Sequence, residues 1–175
     1  MLLITLPLIV NLMKLVLSFL LLTTISFSAL AEVDLVQVVK SERKMYLFDG
    51  SRLIREFDVA LGANPKGHKQ QEGDERTPEG RYQLDYIKED SSFYRAMHVS
   101  YPNELDKQTA KERGVSPGGL IMVHGQRNRL GWLSLLSQRF NWTNGCIAIT
   151  NDEMDEFLTL VPVGTVIDIS WERLP

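Results

Sequence analysis

Past residue 31 the chain is a series of short apolar runs separated by polar turns, the pattern of a β-rich domain. Val33 to Lys40 is β-branched and weakly alternating, which predicts a strand. Lys44 to Phe48 and Leu53 to Leu61 are apolar runs on either side of Asp49-Gly50-Ser51-Arg52, and Asp-Gly between such runs signals a hairpin. Gly62 to Gly80 is rich in Gly, Pro, Lys and acidic residues and predicts a long loop, of the kind that is functional or mobile in compact domains. Arg81 to Ile87 sets Tyr82, Leu84 and Tyr86 against polar neighbours with period two, and Phe93 to Tyr101 predicts a further strand ended by Pro102.

Asn103 to Arg113 carries helix formers but one large apolar residue, Leu105, and predicts a surface helix or an excursion, stopped by Gly114. Leu120 to Val123 predicts a short buried strand that delivers His124 at its end, and Leu130 to Phe140 has helical spacing through Leu133, Leu136 and Phe140. Cys146 to Ile149 is short and apolar. Thr150 stands three residues before Glu153, a capping box, and Met154, Phe157, Leu158 and Val161 follow on one helical face until Pro162. Thr165 to Trp171 closes the chain as a strand. The expected class is mainly β (α+β), a sandwich or barrel with two or three short helices, without the βαβ rhythm of a doubly wound sheet.

The first 31 residues differ. Lys14 is their only charged side chain, Leu15 to Leu22 is almost wholly apolar, and small residues stand at both ends of Ala29-Leu30-Ala31. That is the layout of a secretory signal peptide, with Met13-Lys14 as its natural start and cleavage after Ala31, leaving one domain over 32–175. The alternative is an uncleaved anchor, although Leu15 to Ala31 falls short of the roughly 20 residues a spanning helix needs. Such a leader predicts export across a membrane.

Composition narrows the chemistry. The 175 residues are 44% hydrophobic and 23% charged, ordinary for one packed domain, and a net charge of −3 offers no basic field to collect nucleic acid. Three histidines and one cysteine are too few for a Cys/His zinc site. The single Cys146 of an exported chain is either buried and inert or kept for its reactivity.

Thr143-Asn144-Gly145-Cys146 is the strongest local feature. Gly145 permits a bend that a β-carbon would forbid, and N–H groups around such a bend can converge on an oxyanion. A thiol there needs a base, because its ordinary pKa of about 8.5 leaves it protonated at neutral pH. His68 lies in the polar loop and reads as solvated; His98 lies inside a strand and reads as structural. His124, at a strand end beside Gly125, has backbone carbonyls near enough to hold Nδ1–H and free Nε2 as a base. The acidic run Asp152-Glu153-Asp155-Glu156 reads as helix N-terminal charge, and Trp132 and Trp142 read as core.

His124-Gly125 followed by Thr143-Asn144-Gly145-Cys146-Ile147 resembles the catalytic signature of L,D-transpeptidases of the YkuD type, and Thr77-Pro78-Glu79-Gly80-Arg81-Tyr82 resembles the family's T-P-x-G turn. The likeness runs from about Val33 to Ile169. It implies an exported bacterial enzyme, periplasmic or wall-associated, acting on peptidoglycan stem peptides without a metal or cofactor. Cys146 would form a thioester at the third, diamino residue of a tetrapeptide, and an amine of a second stem peptide or of a lipoprotein lysine would take the acyl group. By the same resemblance His124 is the base and the Gly125 carbonyl orients it. Backbone N–H groups of Asn144, Gly145 and Cys146 form the oxyanion hole. Many relatives carry Arg two residues after the cysteine, where this chain has Ala148; Arg127, Arg129 or Arg95 is left to meet a substrate carboxylate, with Thr143 adjoining. Water in place of the amine would give a hydrolase, and a chain without thiol chemistry would be a wall-binding protein.

Overall fold

The computed structural model describes residues 32–128 and 137–173. Eight strands, β1 (Leu35–Val39), β2 (Lys44–Asp49), β3 (Arg52–Asp58), β4 (Gly80–Ser91), β5 (Tyr94–Val99), β6 (Met122–His124), β7 (Ile147–Ala148) and β8 (Val166–Ser170), form one sheet in the order β3-β2-β1-β8-β4-β5-β6-β7. Two helices, α1 (Glu104–Glu112) and α2 (Asn151–Leu160), occur among the described residues. The mainly β class is as expected. It is built from one sheet that turns back on itself: just past β3, Ala60 bridges to Ala148 of β7 and Gly62 bridges to Thr143. Most of the helix expected over Leu130–Phe140 lies outside the described residues, as do the leader and Trp132.

β1 lies between β2, antiparallel, and β8, parallel. Its Val36 and Val38 belong to the core while Gln37 and Val39 on the other face are also buried, which is why the run alternates only weakly. Tyr82 and Leu84 of β4, Met97 and Val99 of β5, Val123 of β6, and Ile167 and Ile169 of β8 share that core with Met154 and Phe157 of α2. The capping box of α2 is present: Thr150 Oγ1 accepts from Glu153 N, and Glu153 Oε2 accepts from Thr150 N at 2.8 Å. β4 outlasts its apolar alternation. Its far half pairs with β5 as an exposed hairpin, so Lys88-Glu89-Asp90 gives no periodic signal.

The stretch from Gly62 to Gly80 is tied down by buried cations. Lys40, fully buried at the end of β1, donates to Gly67 O and Thr77 O at 2.8 Å and to Glu79 Oε1 at 2.9 Å. Lys69 donates to Asp74 Oδ1 at 2.7 Å, and Asp74 also accepts from Gln70, Gln71 and Arg76 backbone N–H groups. α1 lies on the surface as expected, and a polar residue anchors it. Leu105 is 72% exposed, whereas Asp106 is buried, closes a capping box with Asn103 and accepts from Tyr82 Oη at 3.1 Å.

Candidate functional site

β6 and β7 are parallel neighbours, with Val123 opposite Ile147 and His124 opposite Ala148. Cys146 lies one residue ahead of β7, two before Ala148, so Cys146 and His124 are diagonal neighbours on one face of the sheet. Both residues line one cavity of about 580 Å³, together with Phe93, Arg127, Trp142 and Asn144. Residues 124 and 146, separated by 22 positions of chain, meet because the strand register brings them there.

His124 is 3% exposed. Its Nδ1 lies 2.7 Å from Gly125 O. A carbonyl only accepts, so Nδ1 carries the proton and Nε2 is left with a free lone pair. The ring packs against Phe93, centroids 4.6 Å apart, and Trp142, 5.8 Å away and edge-on. Burial brings its pKa down to about 4, only partly offset by the Gly125 bond. Gly125 cannot be replaced without disruption: a β-carbon there would meet Asn151 Oδ1 at 2.7 Å and Tyr94 Cβ at 2.9 Å.

The cysteine is held by its own turn. Gly145 has φ +122°, and a β-carbon on it would stand 2.6 Å from Arg76 O and 3.2 Å from Ile121 Cδ1. The loop fixed by Lys40 and Lys69 is thus the wall against which this turn packs. Thr143 Oγ1 donates to Cys146 O at 2.7 Å and accepts from Gly145 N at 3.2 Å. The Thr143 hydroxyl therefore works inside the turn, and the Gly145 N–H is engaged within the protein; of the expected oxyanion donors, the backbone N–H groups of Asn144 and Cys146 remain. The thiol donates to Leu120 O at 3.6 Å, and surrounding protein pushes its pKa up, against the opposing pull of the Met122 N–H and the Lys69 ammonium. With the thiol protonated and the imidazole neutral, the pair rests uncharged at pH 7.

The other candidates separate clearly. Arg127 is exposed on the cavity. Arg129 lies outside the described residues. Arg95 is engaged, bidentate to Glu89 at 2.6 Å and bonded to Asp155 Oδ1 at 2.8 Å. His68 departs from the solvated expectation: Nδ1 accepts from Glu79 N at 3.0 Å and Nε2 faces Asp106 Oδ1 at 3.1 Å. His98 is paired with Asp85 at 2.7 Å under the Tyr86 ring. Of the acidic run, Glu153 caps α2 and Asp155 bonds Arg95 and Tyr94. Among the described residues no group of three His, Cys, Asp or Glu side chains could hold a metal ion. Phe93 and the two buried lysines give no sequence signal as parts of a site.

A β domain whose closed sheet carries a cysteine and a histidine into one cavity, with a glycine forced into each of their turns, defines a narrow class of protein. The L,D-transpeptidase catalytic domain (YkuD) model matches residues 33–169, and the chain belongs to that family. It is 28% identical over 132 residues to the putative L,D-transpeptidase YafK of Escherichia coli K12, covering 72% of this chain and 46% of that protein, so it spans about half the length of that curated relative. Among solved structures, the helical cell shape determining protein Pgp2 of Campylobacter jejuni is 26% identical with a TM-score of 0.63, over 81% of this chain and 49% of that one. An L,D-transpeptidase from Xylanimonas cellulosilytica, 14% identical with a TM-score of 0.52 over 80% of this chain and 61% of that one, shares the fold.

Proposed function

We propose that this chain is an exported, cysteine-dependent L,D-transpeptidase acting on peptidoglycan stem peptides. One observation carries the reading: Cys146 and His124 share a cavity, and the Gly125 carbonyl fixes the imidazole tautomer that leaves Nε2 as acceptor. In the first half-reaction Nε2 takes the Cys146 proton as sulfur bonds to the acyl carbon of the third stem residue. The N–H groups of Cys146 and Asn144 face the developing oxyanion. His124 returns the proton to the departing D-amino acid nitrogen, which leaves a thioester. In the second half-reaction His124 takes a proton from an incoming amine, of another stem peptide or a wall-linked lipoprotein lysine, and sulfur departs as thiol. Arg127, exposed on the cavity, meets the substrate carboxylate that relatives with Arg after the motif would hold there. The apolar leader over residues 1–31 supports delivery across the inner membrane to the periplasm, where that substrate lies.

The test is incubation of the protein with tetrapeptide muropeptides and mass analysis of products, with Cys146→Ala alongside. Cross-linked dimers and a Cys146 acyl adduct, both lost in the variant, are expected. Loss of a residue without a dimer would make the chain a hydrolase on the same scaffold, and unchanged muropeptides with no adduct would leave a wall-binding role.

A further inference from the structure

We propose that Phe93 is a positioning residue: the β4–β5 turn is built to lay its ring on the His124 imidazole, fixing the plane of the base and keeping water from it. The inference rests on His124 being the base of the reaction proposed above. The turn consists of Ser92 and Phe93 between the strand ends Ser91 and Tyr94. Asn128, in the segment that follows His124-Gly125, clamps it from three directions. Its Oδ1 accepts from Tyr94 N at 2.9 Å, its Nδ2 donates to Ser91 O at 3.0 Å, and its backbone N–H donates to Ser92 O at 3.1 Å. Ser91 Oγ accepts from Phe93 N at 3.0 Å. Tyr94 is held at φ +66°, a conformation bulky residues avoid, and its hydroxyl is tied to Asp155 Oδ2 at 2.7 Å. A strained residue held by this many bonds marks a conformation kept for what it aims.

It aims Phe93. The ring lies 4.6 Å from His124 at an interplanar angle of 38°, and 5.9 Å from Trp142, so two aromatic walls flank the imidazole. The groups around His124 add little charge. Gly125 offers a carbonyl, Cys146 a neutral thiol from the turn ahead of β7, and Arg127 an exposed guanidinium; the described residues lining the cavity include no carboxylate. Arg95 on β5 is engaged by Glu89 and by Asp155 of α2, and Tyr94 by Asp155. With no anion to favour the imidazolium, apolar packing by Phe93 holds the base neutral and directs Nε2 toward the cavity.

The experiment follows the His124 titration by NMR in the full chain and in Phe93→Ala, Phe93→Leu and Asn128→Ala, beside kcat/KM for a tetrapeptide against pH. In Phe93→Ala the midpoint should rise from about 4 toward 6.5 by at least about one pH unit, and the acid limb of kcat/KM should move with it. Phe93→Leu should restore most of the parent behaviour, and Asn128→Ala should shift the midpoint the same way by less. A midpoint unmoved in folded Phe93→Ala overturns the inference, as does a higher KM with an unmoved acid limb, which would make Phe93 a substrate contact. If Phe93→Ala does not fold, an unmoved midpoint in Asn128→Ala overturns it. The NMR titration needs no substrate, so a shifted midpoint in a chain without transfer activity would keep the action of Phe93 on His124 and remove the transpeptidase reading.

Discussion

The buried imidazole makes the stability of the fold depend on pH in a way one substitution can isolate. His124 titrates at about 4 in the folded chain, against 6.5 when exposed. Because its folded pKa is depressed, the unfolded chain takes up the proton first as pH falls. The stability this group contributes is therefore complete above pH 6.5 and is lost progressively down to about 4. A difference of two to three pH units corresponds to about 3 kcal/mol in all, at about 1.4 kcal/mol per pH unit midway through the window. His124→Gln supplies an amide that does not titrate and that can still donate toward Gly125 O. The assay is urea unfolding of both proteins at pH 7, 6, 5 and 4. Both lose stability as carboxylates such as Asp74, held low by backbone N–H groups and Lys69, become protonated. The parent should lose about 3 kcal/mol more than the variant, so that any advantage it has at pH 7 shrinks or reverses by pH 4. Two stability curves that run parallel from pH 7 to 4 would refute the reasoning, because the histidine would then titrate alike folded and unfolded.

Gly145→Ala places a β-carbon against Arg76 O at a φ that only glycine adopts freely, so unfolding free energy should fall by about 1–3 kcal/mol and the rate of Cys146 acylation by tenfold or more; an unchanged melting temperature would show that the turn tolerates a side chain. Arg127→Ala, on the cavity rim, should raise KM for a stem peptide about tenfold without changing the melting temperature, and an unchanged KM would hand the carboxylate to another cation. Thr150→Ala removes one half of the α2 capping box and should cost about 0.5–2 kcal/mol in chemical unfolding, with no loss if Glu153 alone satisfies the helix end.

What the sequence showed of this molecule follows from how far each signal reaches along the chain. The β2–β3 hairpin and the α2 cap were legible because turn chemistry and helical spacing act over a few residues, and Asp49-Gly50 and Thr150 to Glu153 fall inside that window. The order of the Gly62–Gly80 loop was not legible. It depends on Lys40, 27 to 39 residues away from its acceptors, and a lysine in a polar neighbourhood gives no sign that it is fully buried. Asp106 was hidden for a related reason: a carboxylate in a polar helix looks solvated until Tyr82 and His68 converge on it. Cys146 and His124 stood out by residue type and by their glycines, but their meeting depends on the register of two very short strands, which no local pattern encodes. The same limit applies to the arginines. Arg95 and Arg127 are alike as letters, and only the position of Glu89 across the hairpin and of Asp155 on α2 engages the first, while the second is exposed on the cavity. Near a sheet that closes on itself, chemistry is selected by the partners left over after folding, so the side chain without a nearby opposite charge is the one to test first.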